Sequence, residues 1–129
     1  MASGFPFSTG NVLSATNMNG LTAFTIETAN TADYTAVLTD QYQVLDQMNK
    51  ATAIAYKIPT NASVAFPVGT VLNILNIGAG TCTISAVTPG TTTILSAGAT
   101  AASPTLAQYK AAACIKTGTD AWYVVGGIA

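Results

Sequence analysis

The sequence has no histidine and no arginine, and charged residues make up only 7% of it. Each shortage excludes something. Without histidine, the side chain that ordinarily titrates near neutral pH is missing, and with it the commonest general base and metal ligand. The four lysines, at 50, 57, 110 and 116, are scattered. They form no basic cluster to neutralise a phosphate backbone, so no nucleic-acid partner is expected. No apolar run approaches the roughly 20 residues of a membrane-spanning helix, so no membrane partner is expected either. Residues 1–10 lack both a basic n-region and a long apolar h-region. They do not read as a signal peptide, and assembly in a cytoplasm is the expectation.

The low charge also says something about the surface. An ordinary soluble domain carries roughly 25% charged residues, whereas this chain has five acids, four lysines and a net charge of −1. Much of its exterior must be Thr, Ser, Asn, Ala and Gly. Such a surface suits burial against copies of itself or a partner, because few charges are stranded. The alternative is an extracellular protein held in solution by hydroxyls and amides. With 129 residues, half of them hydrophobic, the chain suits one domain with a core of its own.

Cys82 and Cys114 lie far apart, in the apolar runs Thr81-Cys82-Thr83-Ile84 and Ala112-Ala113-Cys114-Ile115. Two thiols without a histidine are too few for a zinc site. They read as buried free thiols, with a disulfide as the alternative.

Two zones follow along the chain. Residues 1–23 read as an N-terminal arm and short helix. Phe5 and Phe7 are lone anchors in a Gly/Ser/Pro-rich stretch, Ser14 can cap a helix, and Gly20 can end it. Val12, Leu13, Met18 and Leu21 are too few to bury themselves, so this zone must lie on the main body or on a neighbour. Residues 24–129 read as β, because Thr, Val, Ile and Tyr dominate and are cut by Gly, Pro and Asn. Strands are predicted near 24–28, 34–38, 42–48, 52–58, 70–76, 81–87, 91–96, 106–116 and 121–125. Ala53, Ala55 and Lys57 alternate with Ile54, Tyr56 and Ile58. Cys82, Ile84 and Ala86 alternate with Thr81, Thr83 and Ser85. Val71, Leu72, Ile74, Leu75 and Ile77 suggest a strand buried on both faces. Many short strands with frequent turns predict an all-β fold, an antiparallel β-sandwich of jelly-roll-like kind. Within it, the proline-framed stretch from Pro59 to Pro67 predicts one helical turn capped by Thr60 or Asn61, with Phe66 plugging the end of the core. Gly78-Ala79-Gly80 and Thr117-Gly118-Thr119-Asp120 read as tight turns, and residues 98–104 as a surface loop.

No catalytic constellation emerges. Asp33, Asp40 and Asp46 form the one acid cluster. A glycosidase would need two carboxyls facing each other roughly 5–10 Å apart across a cleft, but Asp33 and Asp40 bracket a strand and read as turn residues, as does Asp120. There is no phosphate loop, nucleophile elbow or calcium loop. No enzyme activity, cofactor or metal is expected. Trp122 and Tyr123 are adjacent in a strand and must face opposite ways, one into the core and the other outward or into an interface. For Tyr34, Tyr42, Tyr56 and Tyr109, buried packing is expected.

Two motifs resemble known proteins. Phe7-Ser8-Thr9-Gly10-Asn11-Val12-Leu13-Ser14-Ala15-Thr16-Asn17-Met18-Asn19 resembles a stretch near the N-termini of tailed-phage structural proteins. The second motif runs from Asp33-Tyr34-Thr35-Ala36-Val37-Leu38-Thr39-Asp40 through the proline-framed segment and Gly78-Ala79-Gly80 to Ile115-Lys116-Thr117-Gly118-Thr119-Asp120-Ala121-Trp122. It resembles a β-domain recurring in phage virion proteins of heads and tails. With one β-domain and no shaft-like repeat, the resemblance implies a capsid decoration (cement) protein on the outer surface of the virion head. It would form a homotrimer and bind the major capsid protein. A small tail-fibre component binding a receptor glycan is the alternative, and a cell-wall glycosidase using Asp33 or Asp46 a remote third. The expected interface residues are Phe5, Phe7, Val12, Leu13, Met18 and Tyr123.

Overall fold

The structure, a computed structural model, describes residues 23–129. The expected N-terminal arm and helix lie outside the described residues. The remainder is β-structure: β1 (Thr25–Ile26), β2 (Tyr34–Thr35), β3 (Val44–Met48), β4 (Ile54–Ile58), β5 (Val71–Asn76), β6 (Cys82–Ala86), β7 (Thr93–Ser96), β8 (Thr105–Leu106), β9 (Lys110–Gly118) and β10 (Ala121–Gly126). These strands make a six-stranded sheet, β1-β3-β5-β9-β10-β7, and a four-stranded sheet, β2-β4-β6-β8.

From β1 to β8 each strand lies in the sheet opposite its predecessor. The chain therefore winds as a flattened coil, and strands of successive turns run parallel: β1, β3 and β5 in one sheet, β2, β4 and β6 in the other. β9 then runs antiparallel to β5 and to β10, while β7 lies parallel to β10 at the sheet edge. The last pairing, β6 with β8, is antiparallel. The all-β expectation holds, but the antiparallel, jelly-roll-like arrangement does not describe the pairing. Alternation records only that a strand is short and half-buried, and says nothing about its partner or direction. Short connections such as Gly78-Ala79-Gly80 carry the chain across to the other sheet instead of folding it back as a hairpin.

The alternation places the core as expected. Ile54, Tyr56 and Ile58 of β4 point inward, as do Cys82 and Ile84 of β6, while Ala55, Lys57, Thr83 and Ser85 face away. They meet Met48, Leu72, Ile74, Cys114, Trp122 and Val124 from the larger sheet. The cysteines are free and buried within this core, where desolvation pushes the Cys82 thiol up to about 11 and Cys114 higher still. Both are inert as nucleophiles at neutral pH. Thr60 caps the expected single turn, accepting from the Ser63 N–H with its backbone carbonyl and, more weakly, its hydroxyl. Phe66 plugs the core end, edge-on against Trp122 with ring centroids 5.6 Å apart.

Four local expectations are corrected. The run around Val71 to Ile77 is buried on one face only: Leu72, Ile74 and Asn76 are inward, while Val71 is exposed and Asn73 and Leu75 are half-buried. The strand expected over 34–38 stops at Thr35, and Leu38–Gln41 forms a 3-10 turn. Asp40 Oδ2 accepts the Val37 N–H at 2.8 Å, which bends the chain there. The strand expected over 106–116 is two strands in different sheets, split at Tyr109, whose φ of 63° is left-handed. Tyr109 and Tyr42 are exposed rather than buried; only Tyr56 is fully enclosed.

The corners of the coil stack closely. The N–H groups of Ile77 and Gly78 donate to Met48 O, and that of Gly80 to Lys50 O. Buried Asn76 holds this corner, donating from Nδ2 to Gly80 O and Leu106 O and accepting the Gly78 N–H. A Cβ on Gly80 would stand 1.8 Å from Thr52 O, whereas one on Gly90 meets nothing within 4 Å. Gly80→Ala is therefore expected to destabilise the fold by at least about 1–3 kcal/mol in a urea melt. Gly90→Ala should stay within about 0.5 kcal/mol.

Candidate functional site

The titratable groups singled out from the sequence separate in the structure. Asp33, just before β2, is a surface residue: it accepts the Ala55 N–H at 3.0 Å and lies 3.8 Å from Lys57 Nζ. Asp40 and Asp46 are buried. The Tyr34 hydroxyl donates to Asp40 Oδ2 at 2.7 Å, and the Tyr56 hydroxyl to Asp46 Oδ2 at 2.6 Å. Because Asp46 belongs to β3 and Tyr56 to β4, this last bond joins the two sheets. Asp46 Oδ1 is buried without a donor, and Asp40 stands within hydrogen-bonding reach of the Asp46 carboxyl. A like charge so near disfavours the ionised form of Asp46. Burial above all, opposed by the Tyr56 hydrogen bond and reinforced by Asp40, pushes Asp46 up to about 7. Asp46 is 1% exposed, so the cluster acts as a cross-link within the core. Among the described residues, no group of three or more His, Cys, Asp or Glu side chains could hold a metal ion.

A surface candidate lies on the outer face of the six-stranded sheet. Paired residues share a face, so the strand register builds rows. One row is Ile26, Leu45, Asn73, Ala113 and Val125, across five strands. The next is Val71, Ile115, Tyr123 and Leu95, across four. A third is Gln47, Leu75 and Ala111. No charged residue stands in any of these rows, and Ile26, Val71, Leu95, Tyr123 and Val125 are exposed. Beside Tyr123 a cleft of about 390 Å³ opens between Leu95, Val125 and Ile128. Sheets with this much parallel pairing usually have both faces covered, and a contiguous apolar patch on a soluble protein marks an interaction site.

Tyr123 faces outward, 47% exposed, and Trp122 faces inward at 2%, the opposite facing that their adjacency predicts. The other five expected interface residues, Phe5, Phe7, Val12, Leu13 and Met18, lie outside the described residues. Sequence reasoning missed the partners of Tyr123, namely Leu95, Ile115 and Val71. A signal was present, since Ile94 and Leu95, like Trp122 and Tyr123, are adjacent apolar residues in short strands and one of each pair must face out.

Asp46 also sets a pH dependence. Its folded-state value lies above the usual 3.8, so between these values the folded state binds more protons than the unfolded chain, and stability falls as pH rises. The melting temperature should be highest near pH 4, decline towards pH 7 and level off above it. Asp46→Asn should flatten this slope. Tyr56→Phe, which removes the hydrogen bond that lowers Asp46, should move the end of the slope to higher pH. A Tyr56→Phe profile shifted towards acid would contradict the assignment.

No protein-family model, curated protein or solved structure matches this chain.

Proposed function

We propose that the protein is a non-catalytic structural subunit, a capsid decoration or cement protein that binds the outer surface of a phage head and stabilises it, with a homotrimer as the working unit. The observation that carries this reading is the uncharged, apolar outer face of the six-stranded sheet centred on Tyr123, Leu95, Ile115 and Val125. A surface of this kind is costly on a free monomer and favourable in an interface, whose centre is depleted of charge and anchored by aromatics. The low overall charge and the virion-like motifs point the same way. In this reading the outer face meets a neighbouring subunit or the major capsid protein, and the enclosed Asp40–Asp46 cluster holds the sheets together.

The test is to locate the chain in purified particles and to disrupt the face. High copy number on tail-less heads is expected; a few copies confined to tails would instead favour the glycan-binding fibre component. Introducing Leu95→Lys with Tyr123→Lys should weaken particle binding or self-association at least about tenfold, the equivalent of ~1.4 kcal/mol. The melting temperature should change little, because both side chains point away from the core. Undiminished binding by a folded double variant would remove this face from the interface.

A further inference from the structure

Lys116 is placed unusually for a lysine. It lies on the inward face of β9 and is 2% exposed. Buried ammonium groups are ordinarily matched by a carboxylate, yet both hydrogen-bond acceptors of Lys116 Nζ are uncharged. They are Asn61 Oδ1 at 2.6 Å and the Phe66 carbonyl at 2.7 Å. The Trp122 ring closes the site, its centroid 5.9 Å from Nζ. Asn61 is held from a second direction by Asp120, whose Oδ1 accepts the Asn61 backbone N–H at 2.8 Å and the Thr92 hydroxyl at 3.2 Å. The Lys116 amine and the Asn61 side-chain amide therefore meet beside Phe66 and Trp122, while the Asp120 carboxyl holds the Asn61 backbone.

We propose that Lys116 and Asn61 become joined by an intramolecular isopeptide bond, with Asp120 holding Asn61 in place. A carbonyl bond is about 1.23 Å long, so a 2.6 Å contact to Oδ1 leaves Cγ roughly 3–4 Å from Nζ, overlapping the near-attack range. The nucleophile is the neutral amine, and desolvation of Lys116 lowers its hold on the proton, with the Asp120 charge opposing. In the step, Nζ attacks Asn61 Cγ, the Nζ–Cγ bond forms, and the Cγ–Nδ2 bond breaks. A proton from Nζ passes to Nδ2, which leaves as ammonia. No oxidant or reductant is required. The product carries no charge at Lys116, which removes the cost of an ammonium facing neutral acceptors, and it ties the proline-framed segment covalently to β9. This inference is independent of the capsid reading.

The test is mass spectrometry of the full-length folded chain. The expected intact mass is lower by one ammonia than the sequence requires. Trypsin should fail to cut after Lys116, and residues 58–110 should remain joined to residues 111–129 as one branched species. A chain of full mass that releases residues 111–116 as a free peptide would overturn the proposal. Asn61→Ala should restore both the full mass and cleavage after Lys116. Asp120→Ala, checked for a native circular-dichroism spectrum, should retain its ammonia; loss as complete as in the parent chain would overturn the positioning role given to Asp120. The first measurement is made on the parent chain, so it stands whether or not the variants fold.

Discussion

A hydrogen bond between Tyr56 and Asp46 crosses the core and joins the two sheets. Its position matters because both residues belong to strands whose neighbours are set by register. β3 carries Asp46 between β1 and β5, and β4 carries Tyr56 between β2 and β6. A slip of one residue in either strand would turn the carboxyl or the phenol outward, together with every core side chain on that strand. The bond therefore penalises the registers that hydrophobic burial alone discriminates least, since many of these short strands carry small or β-branched residues on both faces. Asp40 and Tyr34 extend the same cluster to the 3-10 turn and to β2. Holding two carboxyls in one buried place makes its protonation part of the fold.

The coiled path explains why so much apolar surface faces outward. In a helix-connected parallel sheet, the crossovers cover the outer faces. Here each crossover is a strand of the opposite sheet, so the connections build the core and, among the described residues, leave the outer face of the larger sheet uncovered. That face has no charged residue in its three rows, and it includes exposed Ile26, Val71, Leu95, Tyr123 and Val125. A fold whose connections are used up inside has this surface available for a neighbour. The proposed assembly role rests on that consequence of topology as much as on composition.

The other end of the core is organised around polar groups. Phe66 and Trp122 meet edge to face, and Lys116 reaches past them to the proline-framed segment. Asp120, in the β9–β10 connection, holds the same segment and the Thr92 hydroxyl ahead of β7. Three distant stretches of chain thus meet around Asp120 and the buried Lys116. As a plain hydrogen-bonded contact it positions the segment, and as a covalent one it would lock it.

Much of the fold was legible in the sequence, for a simple reason. Side-chain alternation is a local property, so the inward sets of β4 and β6 and the split between Trp122 and Tyr123 could be read from residues two apart. The capped turn after Pro59, the plug at Phe66 and the corner at Gly78 to Gly80 were also local, being set by proline, glycine and a threonine oxygen. What the chain pairs with, and in which direction, was not legible, because alternation is the same in parallel and antiparallel sheets. The break at Tyr109 was hidden because a change of sheet leaves no gap in apolar content. The Asp40–Asp46 cluster, the enclosure of Lys116 and the apolar rows around Tyr123 each join residues distant in sequence. The sequence by itself determined which side chains are inward, where the chain turns and how little charge its surface carries. Only the tertiary structure decided which inward groups meet and which outward ones line up, because those depend on strand order and register.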